Sequence, residues 1–209
     1  MNEYIETING IKYYLKAESV IYFQSESLLK VIKKIPVSEI HDNYKLEIGF
    51  SLYILRKRES EDAYDICVPD YKKSPFTDVT DDLTLAFLIQ LEQITVLQKY
   101  NLSGASVRFD DEILVSKDSL TKSTICLQRF RDLKGSGWCI NEIIQDQDGS
   151  FMNTNSGEYE MIYAYQLLSM RPSILNVLFL PYDYIAVFKD DDCIEILDDN
   201  NNSIMESDD

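Results

Sequence analysis

From Tyr44 onward one segment alternates with a period of two. Tyr44, Leu46, Ile48, Phe50, Leu52 and Ile54 occupy the even positions, and Lys45, Glu47, Gly49 and Ser51 lie between them. That period is the mark of a strand with one face buried, because successive side chains point to opposite faces. Such a strand needs paired neighbours and a layer over its apolar side. The segment Tyr44 to Leu55 is therefore predicted as a half-buried antiparallel strand. A charged turn, Arg56 to Asp62, follows it. Tyr64, Ile66 and Val68 form the return strand, and Pro69 stops it.

The rest of the first half adds strands and helices. Ile11 to Lys16 and Val20 to Gln24 read as short strands, the first after the turn dipeptide Asn9-Gly10. Ser25 can cap a helix from Glu26 to about Lys34, with Leu28, Leu29 and Ile32 on its apolar face, and Pro36 ends it. Thr80 is expected to cap a long helix carrying Leu83, Ala86, Phe87, Leu91, Ile94 and Leu97, with Gly104 just past its end. Its apolar surface is wider than one stripe, which predicts a central helix between an N-terminal sheet and the C-terminal part.

In the second half, Ile113 to Ser116, Thr124 to Phe130 and Trp138 to Ile144 read as strands, with Gly135-Ser136-Gly137 as a turn. Asp146-Gln147-Asp148-Gly149 is a second tight turn, and Ser150 to Gly157 a polar loop. Tyr159 to Ser169 reads as a helix, and Pro172 opens another over 172–180. Tyr184 to Phe188 and Ile194 to Leu197 form a hairpin around Asp190-Asp191-Asp192. The expected class is α+β: antiparallel sheets with packed helices, two halves in close contact. The expected domains are 1–106, 107–198 and a disordered acidic tail at 199–209.

Charge then limits the partners. The chain has 209 residues and a formal charge of −16. Residues 1–109 hold 13 Lys/Arg and 16 Asp/Glu, whereas residues 110–209 hold 7 and 20. Of the second set only five acids lie from Asp198 onward, so most of the excess belongs to the folded part. An acidic surface repels phosphate backbones and anionic membranes, so neither is expected as a partner. It attracts a basic protein.

The sequence offers little for catalysis. Cys67, Cys126, Cys139 and Cys193 are far apart and are read as buried reduced thiols of a cytoplasmic protein. No cofactor or metal site is expected, since the thiols lack ligand spacing and His41 is the one histidine. Gly135-Ser136-Gly137 lacks the Lys-Ser/Thr of a phosphate loop, and Gly149 comes too early for a calcium loop. The Asp190 to Asp192 run reads as a solvated loop, a weak cation site or part of a protein-binding patch. Trp138 is either a core or rim anchor or a hot spot for a partner.

Val115-Ser116-Lys117, then Arg129, then Ser136-Gly137-Trp138 resembles the opening of the immunity protein 33-like family, a bacterial family formerly listed as a domain of unknown function. The resemblance continues through Gly157 to Tyr159, Tyr163 to Leu168, Arg171-Pro172-Ser173-Ile174, Leu180-Pro181 and Tyr184 to Phe188, covering about residues 110–197. The chain lacks the family's dense acidic run after Trp138, and it ends in Asp183 to Phe188 where the family tends toward small residues. The resemblance implies a non-catalytic protein that binds and neutralises a cognate polymorphic toxin. An acidic surface would suit a basic, nuclease-like toxin domain. The expected partner-binding residues are Trp138, Asp146, Asp148, Glu158, Asp190, Asp191 and Asp192. The alternative is an intracellular accessory or regulatory interaction protein unrelated to toxins. An enzyme using carboxylates is a third reading.

Overall fold

The computed structural model describes residues 1–59, 62–145, 151–153 and 157–205. The chain divides into two compact units, Met1–Glu92 and Gln93–Asp209. The division falls inside a helix and not at the expected boundary near residue 106.

The first unit opens with β1 (Asn2–Ile8) and β2 (Ile11–Ala17), paired antiparallel up to Ile8 opposite Ile11. Asn9 and Gly10 have φ of 53° and 83°, the two positive values that a type I′ loop needs to match strand twist. The sequence marked this turn but not β1, whose edge position leaves only a weak burial pattern. Val20 to Gln24 is not a strand. Ile21 N–H donates to Glu18 O and Gln24 N–H to Ile21 O, so the segment closes into tight turns before α1 (Ser25–Ile32). The reason is topological: β2 already has a strand on each side, leaving no ladder for another. Ser25 enters α1 as a buried first residue instead of capping it.

The alternating segment from Tyr44 is two strands, β3 (Tyr44–Ile48) and β4 (Ser51–Lys57), joined by Gly49-Phe50. A two-residue turn reverses the parity of the inward positions. Leu46 therefore pairs with Tyr53, and Tyr44 with Leu55, so the odd residues of β4 reach the core. The even-numbered stripe of the sequence is an accident of that turn length. β5 (Ala63–Pro69) returns as expected, and β6 (Val79–Thr80) pairs with its end. The sheet order is β1-β2-β5-β4-β3, with β2 and β5 parallel and the other pairs antiparallel. The core collects Tyr13, Leu15, Tyr53, Leu55 and Ile66 from strands, and Leu28 and Ile32 from α1. On the side of β2 away from that core, Lys16 pairs with Asp81 at 2.6 Å, and the Arg58 guanidinium, paired with Asp65, lies 3.2 Å from the Tyr14 ring centroid.

The helix α2 (Thr84–Lys99) carries the division. It starts later than the expected Thr80, which belongs to β6; Asp82 Oδ1 accepts the Thr84 N–H at 3.0 Å. Leu83, just ahead of it, together with Ala86 and Phe87 completes the core of the first unit. At the other end Asn101, at φ 51°, takes the left-handed position expected of Gly104. Leu102 N–H donates to Leu97 O and Asn101 N–H to Gln98 O, the bond pair of a Schellman cap.

The second unit is a seven-stranded sheet. Its strands are β7 (Glu112–Ser116), β8 (Thr124–Arg129), β9 (Trp138–Gln145), β10 (Phe151–Asn153), β11 (Tyr159–Tyr163), β12 (Ile185–Lys189) and β13 (Asp192–Leu197). The order is β11-β7-β9-β8-β12-β13, with β10 on β9. β7 and β9 run parallel, so both sheets are mixed and not purely antiparallel. The class is mixed α+β with few helices. Ile113, Val115, Ile125, Leu127, Ile140, Ile162 and Phe188 face the core, with Ile174, Leu175 and Leu178 also buried.

Four expectations change in this unit. Within the polar loop expected at Ser150 to Gly157, Phe151–Asn153 pairs with β9 as β10, while the turn expected at residues 146–149 lies outside the described residues. Tyr159 to Ser169 is β11 and a short α3 (Leu167–Met170), because Ile113 and Val115 of β7 offer a ladder that outweighs helical spacing. Residues Pro172–Val177 form a 3-10 helix. The tail does not leave the fold at 199: Asp198 Oδ1 accepts the N–H groups of Asn200 and Asn202, and Ile204 N–H donates to Ile196 O at 2.9 Å. Among the described residues no helix is long and apolar enough to cross a membrane.

The bonds that Asp198 accepts, from Asn202 first, hold its pKa below the ordinary 3.8. A depressed carboxylate pKa stabilises the turn above the ordinary value and loses that hold as pH falls through the folded one. The protection of the Ile204 amide, its exchange rate relative to the intrinsic rate at the same pH, should therefore fall in Asp198→Ala at neutral pH, and in the wild type only on acidification through that range.

Candidate interaction surface

The residues that carry the family resemblance meet in space. Arg129 closes β8 and Trp138 opens β9, and the two are direct cross-strand partners. Both are fully buried. The Arg129 guanidinium donates to the carbonyls of Ser136 (3.1 Å), Ala105 (2.8 Å), Leu178 (3.3 Å), Leu180 (2.6 Å) and Ser106 (3.3 Å). It lies 4.4 Å from the Tyr182 ring centroid and 5.7 Å from that of Trp138. Burial pulls its pKa down, and the neighbouring Tyr182 and Asp111 oppose that shift. Three separate stretches of chain thus end on one cation.

Ser136, Gly137 and Trp138 complete the arrangement. Ser136 Oγ donates to Glu112 O at 2.7 Å and accepts the Trp138 N–H at 3.2 Å. Gly137 sits at φ 82°, and a Cβ there would lie 2.7 Å from Phe130 O, so only glycine fits. The Trp138 indole N–H donates to Leu178 O at 2.9 Å. Trp138 is therefore a core residue, and the expectation that it anchors a partner is corrected: its ring has no exposed surface. Val115 is in the core, and Ser116 is buried beside it. Lys117 turns outward and pairs with Glu158 at 2.8 Å, while its N–H donates to Glu158 O.

The expected acidic residues fall in separate places. Glu158 flanks β11, and Asp190, Asp191 and Asp192 occupy the β12–β13 turn at the opposite edge. Three strands, β7, β9 and β8, lie between β11 and that hairpin, a separation on the order of 20 Å at ordinary strand spacing. Both groups sit at the same end of the sheet, where β7, β9 and β12 finish and β8 and β11 begin. Asp146 and Asp148 lie outside the described residues. Asp191 is engaged: it accepts from Ser173 Oγ at 3.0 Å and lies 3.9 Å from the buried Arg171, whose Nη1 donates to Lys122 O. Burial lowers the Arg171 pKa, and Asp191 and Asp190 counter it.

The sequence missed one surface feature. β11 is an edge strand, and Tyr159, Met161 and Tyr163 are exposed while Ile162 enters the core. The Tyr159 hydroxyl donates to Asn141 Oδ1 at 2.9 Å, and the rings of Tyr163 and Tyr165 stack at 6.2 Å. A Tyr-x-Met-x-Tyr alternation was the available signal, hidden by the run Ile162 to Tyr165, which also suits a helix.

Among the described residues no group of three or more His, Cys, Asp or Glu is placed to hold a metal ion. His41 is exposed, its Nδ1 donating to Asp42 O at 2.8 Å. A cleft of about 200 Å³ in the second unit is lined by Val96, Val177, Phe188, Cys193 and Met205, with Lys99 and Asp191 at the same site. The four cysteines are free. Burial pushes the Cys126 thiol up to about 12 and those of Cys67 and Cys193 up to about 11.

The Imm33-like domain family matches residues 92–199, half of the chain, and the chain belongs to that family. It is thus a member of an immunity-type family. No curated protein and no solved structure was found to match it. The match begins earlier than the resemblance read from the motifs and takes in the second half of α2.

Replacing Arg129 by Met would remove a donor from five carbonyls, of which Leu178 O keeps the Trp138 indole N–H. Urea unfolding should show a loss of about 3 kcal/mol or more. Because the thiols are protonated and shielded at neutral pH, a thiol reagent should modify the native protein slowly and all four cysteines quickly once urea is added.

Proposed function

We propose that the chain is a non-catalytic immunity-type protein that binds a cognate polymorphic-toxin domain and blocks it through acid on the second unit. The observation that carries this is the coincidence of charge with family. The 20 Asp/Glu against 7 Lys/Arg of residues 110–209 fall almost wholly within the stretch matched to the family. Glu158, Asp190, Asp191 and Asp192 are exposed members of that excess. A nuclease-like toxin is basic because it grips phosphate, and an acidic face steers such a partner into rapid association. Asp146 and Asp148 extend the same charge in sequence. The free thiols, buried at Cys67 and Cys139 and half-buried at Cys126 and Cys193, suit the cytoplasm, where such a toxin would act.

Co-expression tests the reading directly. The chain should rescue cells from the toxin encoded beside it and form an isolable complex. Lack of both rescue and complex would falsify the proposal, and capture of a non-toxin as the dominant partner would favour an accessory role. If acid steers the encounter, the association rate constant should fall steeply between low and physiological salt, while dissociation changes little. Stopped-flow mixing over a salt series measures both.

A further inference from the structure

We propose that the exposed β11 strip, Tyr159, Met161 and Tyr163 bordered by Glu112 of β7, is the surface on which a basic protein partner docks. The inference rests on the toxin-binding reading above and gives that reading a place. Among the described residues β11 pairs with β7 alone, so the strip lies at the rim of the sheet. Alternation separates its two sides: Ile162 is 7% exposed and Met161 47%. Direct pairing sets Glu112 opposite Tyr163 and Leu114 opposite Met161, which continues the strip onto β7.

The chemistry suits a protein interface. Tyrosine and methionine are enriched at such surfaces; tyrosine offers large area at small entropy cost, and methionine adapts its shape. The hydroxyl bond from Tyr159 to Asn141 and the stacking of Tyr163 on Tyr165 hold two of the three side chains in place before any partner arrives. Preorganisation of that kind reduces the cost of binding.

Local charge selects the occupant. Residues 109–118 and 157–165, the two strands with their flanks, hold six Asp/Glu and one Lys. That lysine, Lys117, is already paired with Glu158, and Asp110 with Arg108. A second copy of the chain would bring the same carboxylates face to face, which costs energy; a cationic protein surface with an apolar centre would satisfy both parts of the strip. The Asp190 to Asp192 turn is a weaker candidate, because Asp191 is engaged with Ser173 and lies beside Arg171.

The experiment uses the full chain and the purified toxin domain identified by co-expression. Met161→Lys and Glu112→Lys should each weaken binding about tenfold or more, with thermal unfolding unchanged, because both side chains are exposed. Ile194→Lys makes the same apolar-to-cationic change on exposed β13, at the opposite edge, and should alter affinity less than about threefold. If the β11 variants bind like the wild type, the strip is wrong while immunity stands. If the wild type binds no toxin, the immunity reading falls, and a photocrosslinker at Met161 in the native cell decides the strip. Capture of an identified basic protein, reduced by high salt and absent from a crosslinker at Ile194, would retain it. Capture of a second copy, of an acidic protein, or of nothing would overturn it.

Discussion

The second unit is organised around a cation that has left water. Arg129 is buried, and a buried charge is costly unless every donor finds an acceptor. Its acceptors are the carbonyls of residues 105–106, 136 and 178–180, stretches far apart in the chain. Each of those carbonyls would itself be costly to bury unpaired. The guanidinium therefore satisfies loop backbone that no strand or helix ladder could reach. Trp138 closes the same arrangement from the next strand, using Leu178 O a second time. The Arg and S-G-W motif residues form a folding device, which explains why they are recognisable even though none of these side chains presents a surface.

Function then falls to what the device leaves outside. Acid is spread over the end and edges of the sheet, partly neutralised by Lys117 and Lys122 at their respective glutamates and by the nearness of Arg171 to Asp191. Beside β11 the acid adjoins exposed aromatic and methionine side chains. Charge alone gives long-range attraction; an apolar strip gives a place where contact persists after water is expelled.

Much of this fold was legible in the sequence. Strands β2, β5, β7, β8, β9, β12 and β13 follow from periodicity and turn residues, and so do α1 and the body of α2. The failures have definite causes. The Gly49-Phe50 turn was invisible because apolar residues occupy both parities of β4, so a hairpin reads as one long strand. β11 was read as helix because Ile162, Tyr165, Gln166 and Ser169 recur at helical spacing, and only its pairing with β7 decides otherwise. The site was less legible than the fold. Acidic residues could be counted, but their separation to opposite edges depends on strand order, which local patterns do not encode. Trp138 was left open between core and surface, and the indole bond to Leu178 shows which demand prevailed.

A bare rim strand carries a hazard of its own, since a ladder open on one side can be extended by any neighbouring chain. Gln166 bears on that. Its Oε1 accepts the Tyr163 N–H at 2.7 Å, so the last residue of β11 has its amide occupied by a side chain of the following turn. β11 is also only five residues long, with Glu158 just before it and Glu160 within it. An open strand margin of that kind is a template on which further strands can pair. The glutamine shortens that open ladder at one end, which makes edge-to-edge pairing of copies less favourable there.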